Sequence, residues 1–565
     1  MHKIWKYEAP TDELLVIELQ KQINVSAFIA ESLVKRGVKN FEEAKTFFRP
    51  NLDLLHSPFL MLNMQDAVDC VLRNQKNKIL IYGDYDVDGT TAVSLLFNFL
   101  KQNNFNVEYY IPSRYKEGYG VSMLGVQKAI DENFSLMIAL DCGITALEQA
   151  ETLKNKGVDF IICDHHLPGE ILPNAIVLNP KQNNCTYPFK ELSGCGVGFK
   201  FIQALIQHNI GTIEDVQNHL PLLALSIGAD MVPVVGENRL LAALGLQQMN
   251  GDYNTGLQLL AKNCKINPPY KMQDIGFTIG PRINAAGRMG DADKVVELFT
   301  NTLPKEDLME IVKDIEEDNN ERKQEEETIT KEALAMALSR EEEGQIFSTV
   351  VHHANWKKGV IGIVASQLQK TIYVPTIVLT QNNEDEYFTG SARSVGNINL
   401  YECLKECSEF VIKFGGHAAA AGLTIEEKNI PAFSKKFNAV VQQKSVPEDF
   451  IPKLYLDAWI DLAQISMNSI NILNQFEPCG IQNPKPIWAS KNVRCKHLDV
   501  VGKNHVKLTI FQTHQPEITQ NAIFFNGLDY YQKIKEAQFS IAFELDINEW
   551  NNQKNIQLLI RDIQF

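Results

Sequence analysis

Along residues 66–235, short apolar runs alternate with stretches whose apolar positions recur at helical spacing. Ile79-Leu80-Ile81-Tyr82 is unbroken by polar residues, as expected of a strand buried on both faces. Thr91–Lys101 predicts a helix, and Val107–Ile111, Ser135–Leu140 and Val158–Cys163 predict further strands. Leu222–Ala229 is a fourth apolar stretch that ends on an acidic residue. Such alternation implies a largely parallel sheet covered by helices. Upstream, Asp12–Gln22 and Ala27–Arg36 carry amphipathic helical patterns, and Pro50 and Pro58 punctuate a loop, so residues 1–65 form a helical lead-in.

Leu303–Arg340 is helical in propensity, but its apolar positions (Leu308, Ile311, Ile315) thin out between Glu316 and Thr328. A helix polar all round usually bridges domains through solvent, which makes residues 303–345 a connector; a docking surface for a basic partner is the alternative. A second α/β unit over 346–446 opens with a strand at Phe347–His352, a helix at Gly359–Leu368 and a strand at Thr376–Leu379. After a linker at Val446–Pro452, β segments follow at Lys453–Leu456, Val506–Phe511, Asn521–Phe525, Phe539–Asn548 and Asn555–Ile563. Five strands so spaced suggest an OB-type barrel, in which Trp488, Phe511, Phe524, Phe525 and Trp550 are either core or stacking aromatics. The expected fold class is therefore α/β: a parallel-sheet domain and a smaller α/β domain joined by a long helix, plus a C-terminal OB-type β-barrel.

Chemistry gathers at the ends of the apolar segments. Tyr82 is followed by Gly83 and then Asp84, Asp86 and Asp88; Leu140 by Asp141-Cys142-Gly143; Cys163 by Asp164-His165-His166; Ala229 by Asp230. A single aspartate after a strand is commonly a turn former or helix cap, and a D-x-D-x-D run can dissolve its repulsion in solvent. Four such endings along one sheet edge instead bring carboxylates and imidazoles together where open α/β sheets bind ligands. Asp86, Asp88, Asp141, His165 and Asp230 offer an oxygen-rich set suited to manganese or magnesium. So many anionic ligands suggest two ions, and a pair roughly 3.5–4 Å apart suits hydrolytic attack on a phosphorus centre.

Composition changes this picture little. A net charge of −15 by itself disfavours a nucleic-acid partner, but fifteen acidic against six basic residues between Lys305 and Glu343 carry −9 of it, leaving −6 for the rest. The remainder can still hold a basic channel. The ten cysteines include no C-x-x-C pair, the N-terminus has no signal-peptide-length apolar stretch, and Leu220–Ala229 is too short to span a bilayer. A cytoplasmic protein with reduced thiols and no membrane association is expected. In Gly280–Gly290, Arg282 and Arg288 flank a small-residue Asn-Ala-Ala-Gly segment, read either as a phosphate-binding loop or as a structural one. Phe414–Gly422 sets glycines and alanines around His417, either pressing against a substrate or forming a poly-Ala helix contact.

GDYDVDG at 83–89, DCG at 141–143, DHH at 164–166 and the Asp230 of GADMVP resemble the four motifs of the DHH phosphoesterase superfamily. GPRINAAGRMG at 280–290, SARS at 391–394 and GGHAAAAG at 415–422 are similar to the RecJ family of single-strand-specific exonucleases within it. The resemblance implies a DHH domain with a phosphate-binding loop over 66–302, a DHH-associated domain over 346–446 and an OB domain over 453–565. It implies metal ligation by Asp84, Asp86, Asp88, Asp141, His165 and Asp230. Catalytic roles fall to Asp141, Asp164 and His166, the last contacting the scissile phosphate or protonating the leaving oxygen. Arg114 and Arg288, with Arg282 on the same segment, would bind substrate at its 5′-terminal phosphate, and Ser391, Arg393 and His417 would hold DNA across a cleft. One departure is Lys357, where the family commonly has histidine after the tryptophan.

The activity implied is processive 5′-to-3′ hydrolysis of single-stranded DNA to mononucleotides in repair and recombination, with a helicase and a single-strand-binding protein as partners. The rivals are an oligoribonuclease or cyclic-dinucleotide phosphodiesterase of the same superfamily, and an inactive replication scaffold. The barrel and acidic connector argue against a small substrate, and the complete ligand set argues against a decayed site.

Overall fold

In the computed structural model, which describes residues 3–9, 12–251, 253–300, 302–341, 346–381, 387–550 and 553–565, the chain divides into two compact units. One comprises residues 7–315 and 455–565, the other residues 1–6 and 316–454. The first is built on a five-stranded, all-parallel sheet in the order Asn106–Tyr110, Lys78–Gly83, Leu136–Leu140, Asp159–Cys163, Ile176–Leu178. Leu136–Leu140 is buried throughout, as its unbroken apolar run requires. The winding direction reverses between Lys78–Gly83 and Leu136–Leu140, which opens a crevice beyond their carboxyl ends.

The fourth apolar stretch is not a strand of that sheet. Residues Leu220–Ala229 form a helix packed between helices Val87–Gln102 and Gly236–Gln248, and Asp230 is its C-cap. A short apolar run buried all round has no period to separate helix from strand; Pro221 in the first turn was the overlooked helix signal. Gly280–Met289 is likewise a helix, not a loop, continuing a π-helical turn at Ile275–Ile279 and closed by Gly290 in the left-handed region (φ 104°).

The C-terminal barrel runs Trp488–Val501, His505–Gln512, Gln515–Phe524, Gln553–Gln564, Phe539–Trp550, and the first strand closes on the last through Trp488–Phe543 and Ser490–Ile541. Its membership differs from the sequence expectation at one strand. Lys453–Leu456 pairs with Ile4–Tyr7 in a separate two-stranded sheet, and the long, polar-flecked Trp488–Val501 takes its place. The N-terminal helices Glu13–Ile23 and Ala27–Val34 share the barrel's core: Phe28 meets Trp488 edge-on at 5.5 Å, and the indole donates to the Ser32 hydroxyl at 3.3 Å. Trp488 and Phe524 are thus core residues, Phe525 is exposed beside His505, and the Trp550 side chain lies outside the described residues.

In the second unit a five-stranded sheet runs Val411–Gly416, Ala420–Glu426, Tyr387–Arg393, Thr376–Gln381, Thr349–His352, antiparallel except for its last pair. The segment around His417 is a β-hairpin turn, not a poly-Ala helix. Helix Lys305–Glu341 places Leu308, Val312 and Ile315 in the parallel-sheet core, and Ile329, Ala333 and Ala337 against Trp356, Val360 and Ile361. Between them the helix is not solvated all round. Lys357 bonds Glu321 (2.8 Å) and Glu325 (3.0 Å), Trp356 donates to Glu332 (2.8 Å), and Asn319 and Arg322 are buried. These partners come from a distant segment, so helical periodicity alone could not reveal them.

A buried ion pair fixes the flank of the parallel-sheet domain. The Lys200 ammonium, fully buried, donates to the His56 carbonyl (2.7 Å) and to Glu237 (3.3 Å), which also accepts from the His56 N–H and the Tyr187 hydroxyl. Lys200→Met strands the Glu237 carboxylate and should lower stability by about 3–5 kcal/mol, read as a lower urea midpoint. The double variant Lys200→Met/Glu237→Gln should recover part of the loss.

Candidate metal centre

The centre forms where strand Lys78–Gly83 gives way to helix Val87–Gln102. Asp86 caps that helix by accepting from the Gly89 N–H at 3.0 Å. Gly89 has no alternative, since a Cβ there would fall 2.3 Å from the Asp84 carbonyl oxygen. Asp88, in the first turn, accepts from the N–H groups of Gly194 (2.7 Å) and Cys195 (2.8 Å), at the N-terminus of helix Gly194–Gln207, and from the Ser226 hydroxyl (2.7 Å). A carboxylate at a helix N-terminus gains from the orphan N–H groups and the helix dipole. Asp141 follows its strand in the left-handed region (φ 60°), a conformation uncommon outside glycine, and packs where a Cβ on Gly194 would lie 2.6 Å from its Oδ1.

These elements bring the expected ligands together. His165 Nε2 lies 3.2 Å from Asp141 Oδ1, 3.7 Å from Asp230 Oδ2 and 3.8 Å from Asp88 Oδ2. Ligating atoms of Asp84, Asp86 and Asp141 lie within 4.8 Å of one another, as do those of Asp88, His165 and Asp230, and of Asp141, His165 and His166. Asp141 and His165 each belong to two of the groups. Asp84 Oδ1, Asp141 Oδ1, Asp230 Oδ2 and His165 Nδ1 are buried with no hydrogen-bond partner. Buried acceptors normally find a donor; three carboxylate oxygens without one, in a set dominated by carboxylate oxygen, fit hard divalent cations.

The electrostatics agree. Burial, reinforced by neighbouring carboxylates, pushes Asp84, Asp86 and Asp141 up, and pushes Asp230 up to about 7. Burial also holds His165 below its ordinary value, which keeps the imidazole neutral as a ligand must be. Asp164 behaves differently. Despite burial it is held below the usual carboxylate range, because its Oδ1 accepts from His166 Nδ1 (2.7 Å) and from the N–H groups of His165 and His166, and its Oδ2 from Ile144 N–H (2.9 Å). Burial would depress His166, but this hydrogen bond raises it above its ordinary value, and its Nε2 faces the Tyr119 hydroxyl at 3.1 Å. Asp164 is thereby a positioning residue for His166.

The other expected residues divide. The Arg114 guanidinium lies 5.4 Å from the Tyr85 ring centroid. Helix Gly280–Met289 reaches the same loop: a Cβ on Gly287 would fall 2.4 Å from the Tyr85 carbonyl oxygen, and the Asn284 side chain accepts from Val87 N–H (3.3 Å). Gly287 there admits the Tyr85 backbone, a close approach that the sequence reading had assigned to a ligand or to the loop's own structure. Arg288 rides on that helix's last turn, whereas Arg282 donates to the Thr278 carbonyl one turn earlier. In the other unit, Arg393 donates to the hydroxyls of Ser391 (2.9 Å) and Ser366 (3.1 Å), beside Gly362 in the first turn of helix Ile361–Ile372. Exposed His417 occupies the adjoining hairpin turn, where Ala420 pairs with Arg393. Tyr119, Ser193 and Ser226 escaped the sequence reading. A lone serine in the apolar run Leu220–Ala229 was the available signal, since a buried hydroxyl needs a partner.

In metal-free protein, the raised carboxyl of Asp230 contributes stability that is fully present below about pH 4 and lost as pH rises through about 7. Asp230→Asn in EDTA should therefore melt increasingly above the native protein between pH 4 and 7, with a plateau beyond. Saturating Mn2+ should reverse the order, because the variant has lost a ligand; thermal melts across pH read both effects.

The sequence matches the DHH family N-terminal domain over residues 78–227, the DHHA1 domain over 343–443 and the RecJ OB domain over 456–562. It is 37% identical over 567 residues to the single-stranded-DNA-specific exonuclease RecJ of Bacillus subtilis, covering 99% of this chain and 70% of that protein. It is 30% identical to the Haemophilus influenzae RecJ, with 94% of each chain covered. Among solved structures, Thermus thermophilus RecJ in complex with Mn2+ superposes with a TM-score of 0.84 at 24% identity, over 100% of this chain and 79% of that one. An exonuclease RecJ bound to manganese superposes with a TM-score of 0.60 at 29% identity, over 71% of this chain and 100% of that one. The chain belongs to the RecJ family of DHH phosphoesterases, the single-stranded-DNA-specific exonucleases.

Proposed function

We propose that this enzyme removes mononucleotides from the 5′ end of single-stranded DNA, using two divalent cations, in DNA repair and recombination. The observation that carries this reading is the cluster of Asp84, Asp86, Asp88, Asp141, His165 and Asp230 with its unpartnered buried acceptors. These residues would hold Mn2+ or Mg2+. Bound there, the cations supply a Lewis acid for the scissile phosphate and lower the pKa of an attacking water.

The chain's own groups do the rest. His166, oriented through Nδ1 by Asp164, presents Nε2 as the donor that protonates the departing 3′ oxygen of the terminal nucleotide. Without substrate that nitrogen faces the Tyr119 hydroxyl at 3.1 Å. The bond from phosphorus to that 3′ oxygen breaks, a 5′-mononucleotide leaves, and the shortened strand keeps a 5′ phosphate. That product is again a substrate, which is the chemical basis for processive 5′-to-3′ action. The terminal phosphate would be read by Arg114 and Arg288, and the backbone by Arg393, Ser391 and His417. The Arg393–Ser391–Ser366 group at a helix N-terminus has the chemistry of a phosphate cradle. A helicase that unwinds duplex and a single-strand-binding protein would supply and protect the strand.

The test uses end-labelled DNA and RNA strands with Mn2+, Mg2+ or EDTA. Metal-dependent mononucleotide release from the 5′ end of DNA alone is expected; cleavage of dinucleotides but not long strands, or no cleavage, would defeat the reading. Asp141→Ala should abolish release, and His166→Ala should lower kcat by about 10²–10⁴-fold with metal binding by calorimetry retained. Arg393→Ala should raise KM.

A further inference from the structure

The two most exposed large apolar side chains among the described residues are Met231, at 82%, and Phe277, at 80%. Both flank the metal centre. Met231 directly follows Asp230, and its N–H donates to Asp230 Oδ1 at 3.0 Å. Phe277 stands on the π-helical turn Ile275–Ile279, whose Ile275 and Ile279 are fully buried. That turn lies along the end of helix Leu220–Ala229: a Cβ on Gly276 would fall 3.1 Å from the Gly228 carbonyl, and one on Gly280 3.1 Å from the Ala229 Cβ. The next residue of that helix's chain is Asp230 itself. Widened π turns recur at functional sites, and here the widening leaves an aromatic ring in solvent that no core contact requires.

Position along the helix places Phe277 relative to the site. From Phe277 the chain runs as continuous helix through Asn284, which touches the Asp86–Val87 loop, to Arg288 on the last turn. At about 1.5 Å per residue, Phe277 lies about 10 Å to one side of Asn284 and Arg288 about 6 Å to the other. With the terminal phosphate at Arg288 and cleavage at the carboxylates, the uncleaved strand continues toward Phe277. We propose that Phe277, together with Met231, is a stacking platform for the nucleobases immediately downstream of the scissile phosphate. Every base offers a π face, so such a platform grips a strand without reading its sequence, and it requires bases that are unpaired and splayed. Duplex would be refused there for want of a free face.

The inference rests on the 5′ placement proposed above, and the experiment separates the two. Two 5′-phosphorylated strands are compared in Mn2+, one with normal bases and one carrying abasic residues at positions two to four. Phe277→Ala should raise KM on the normal strand by about 5–100-fold, the range of losing one base–aromatic stack. On the abasic strand KM should start high and move no further with Phe277→Ala. Phe277→Tyr should restore the normal value, and Met231→Ala should give a smaller rise that is likewise confined to the normal strand. An equal shift on both strands, or a shift on neither, overturns the inference while leaving the function proposed above intact. Hydrolysis of the normal strand from its 3′ end by the native enzyme would overturn the 5′ placement and this inference with it.

Discussion

Mutual repulsion among buried carboxylates is the constraint on which the parallel-sheet domain is organised. Asp84, Asp88 and Asp141 are nearly inaccessible, and Asp86 and Asp230 stand against them. A group of this kind is unstable in a low-dielectric interior unless something positive meets it. The fold supplies only part of the compensation. Two helix N-termini point at the cluster, one capped by Asp86 and one donating two N–H groups to Asp88. Those contacts satisfy Asp86 and Asp88 and leave Asp84 Oδ1, Asp141 Oδ1 and Asp230 Oδ2 without donors. The remainder of the compensation is left to cations. Affinity for metal and instability without it are therefore the same property of the site.

This also explains which parts were legible in the sequence. Residues that follow a strand directly are fixed in space by the sheet, so Asp84, Asp141 and His165 could be placed from apolar runs alone. Asp230 was placed in the cluster but assigned the wrong support, because a ten-residue apolar run buried on all sides fits either element. The small residues of 284–287 were legible as a demand for close approach, but not for what approaches. That is tertiary information: the partner is the Tyr85 backbone, two hundred residues earlier in the chain. Trp488–Val501 was missed because an edge-to-edge closed barrel admits long strands with many polar positions on the outer face.

Charge shows the same division between local and tertiary information. The acidic connector dominates the net charge, yet several of its carboxylates are engaged by Lys357, Trp356 and Gln367 and serve to seat the helix on the second unit. Lys357, the family departure, therefore has a structural partner set that a neutral imidazole could not hold as an ion pair. Arg393 has a different character. Its guanidinium is half-buried and bonded to neutral hydroxyls, so its charge is not cancelled by a carboxylate there. Burial lowers its pKa, but arginine remains charged, and an anion is the natural complement.

One continuous helical segment, Ile275–Met289, ties these constraints together. Its first turn buttresses the chain that presents Asp230, its middle binds the Asp86–Val87 loop through Asn284 and Gly287, and its end carries Arg288. Ligand positions, proposed phosphate contact and proposed base platform are consequently spaced by helix geometry and not by flexible loops. A one-residue change in the segment would rotate all of them by about 100° relative to the carboxylates. The π turn absorbs such a mismatch between its two ends, letting Ile275 pack on Gly228 while Gly287 still meets Tyr85. Its irregularity is thus the feature that allows a single helix to serve both the metal loop and the end of helix Leu220–Ala229.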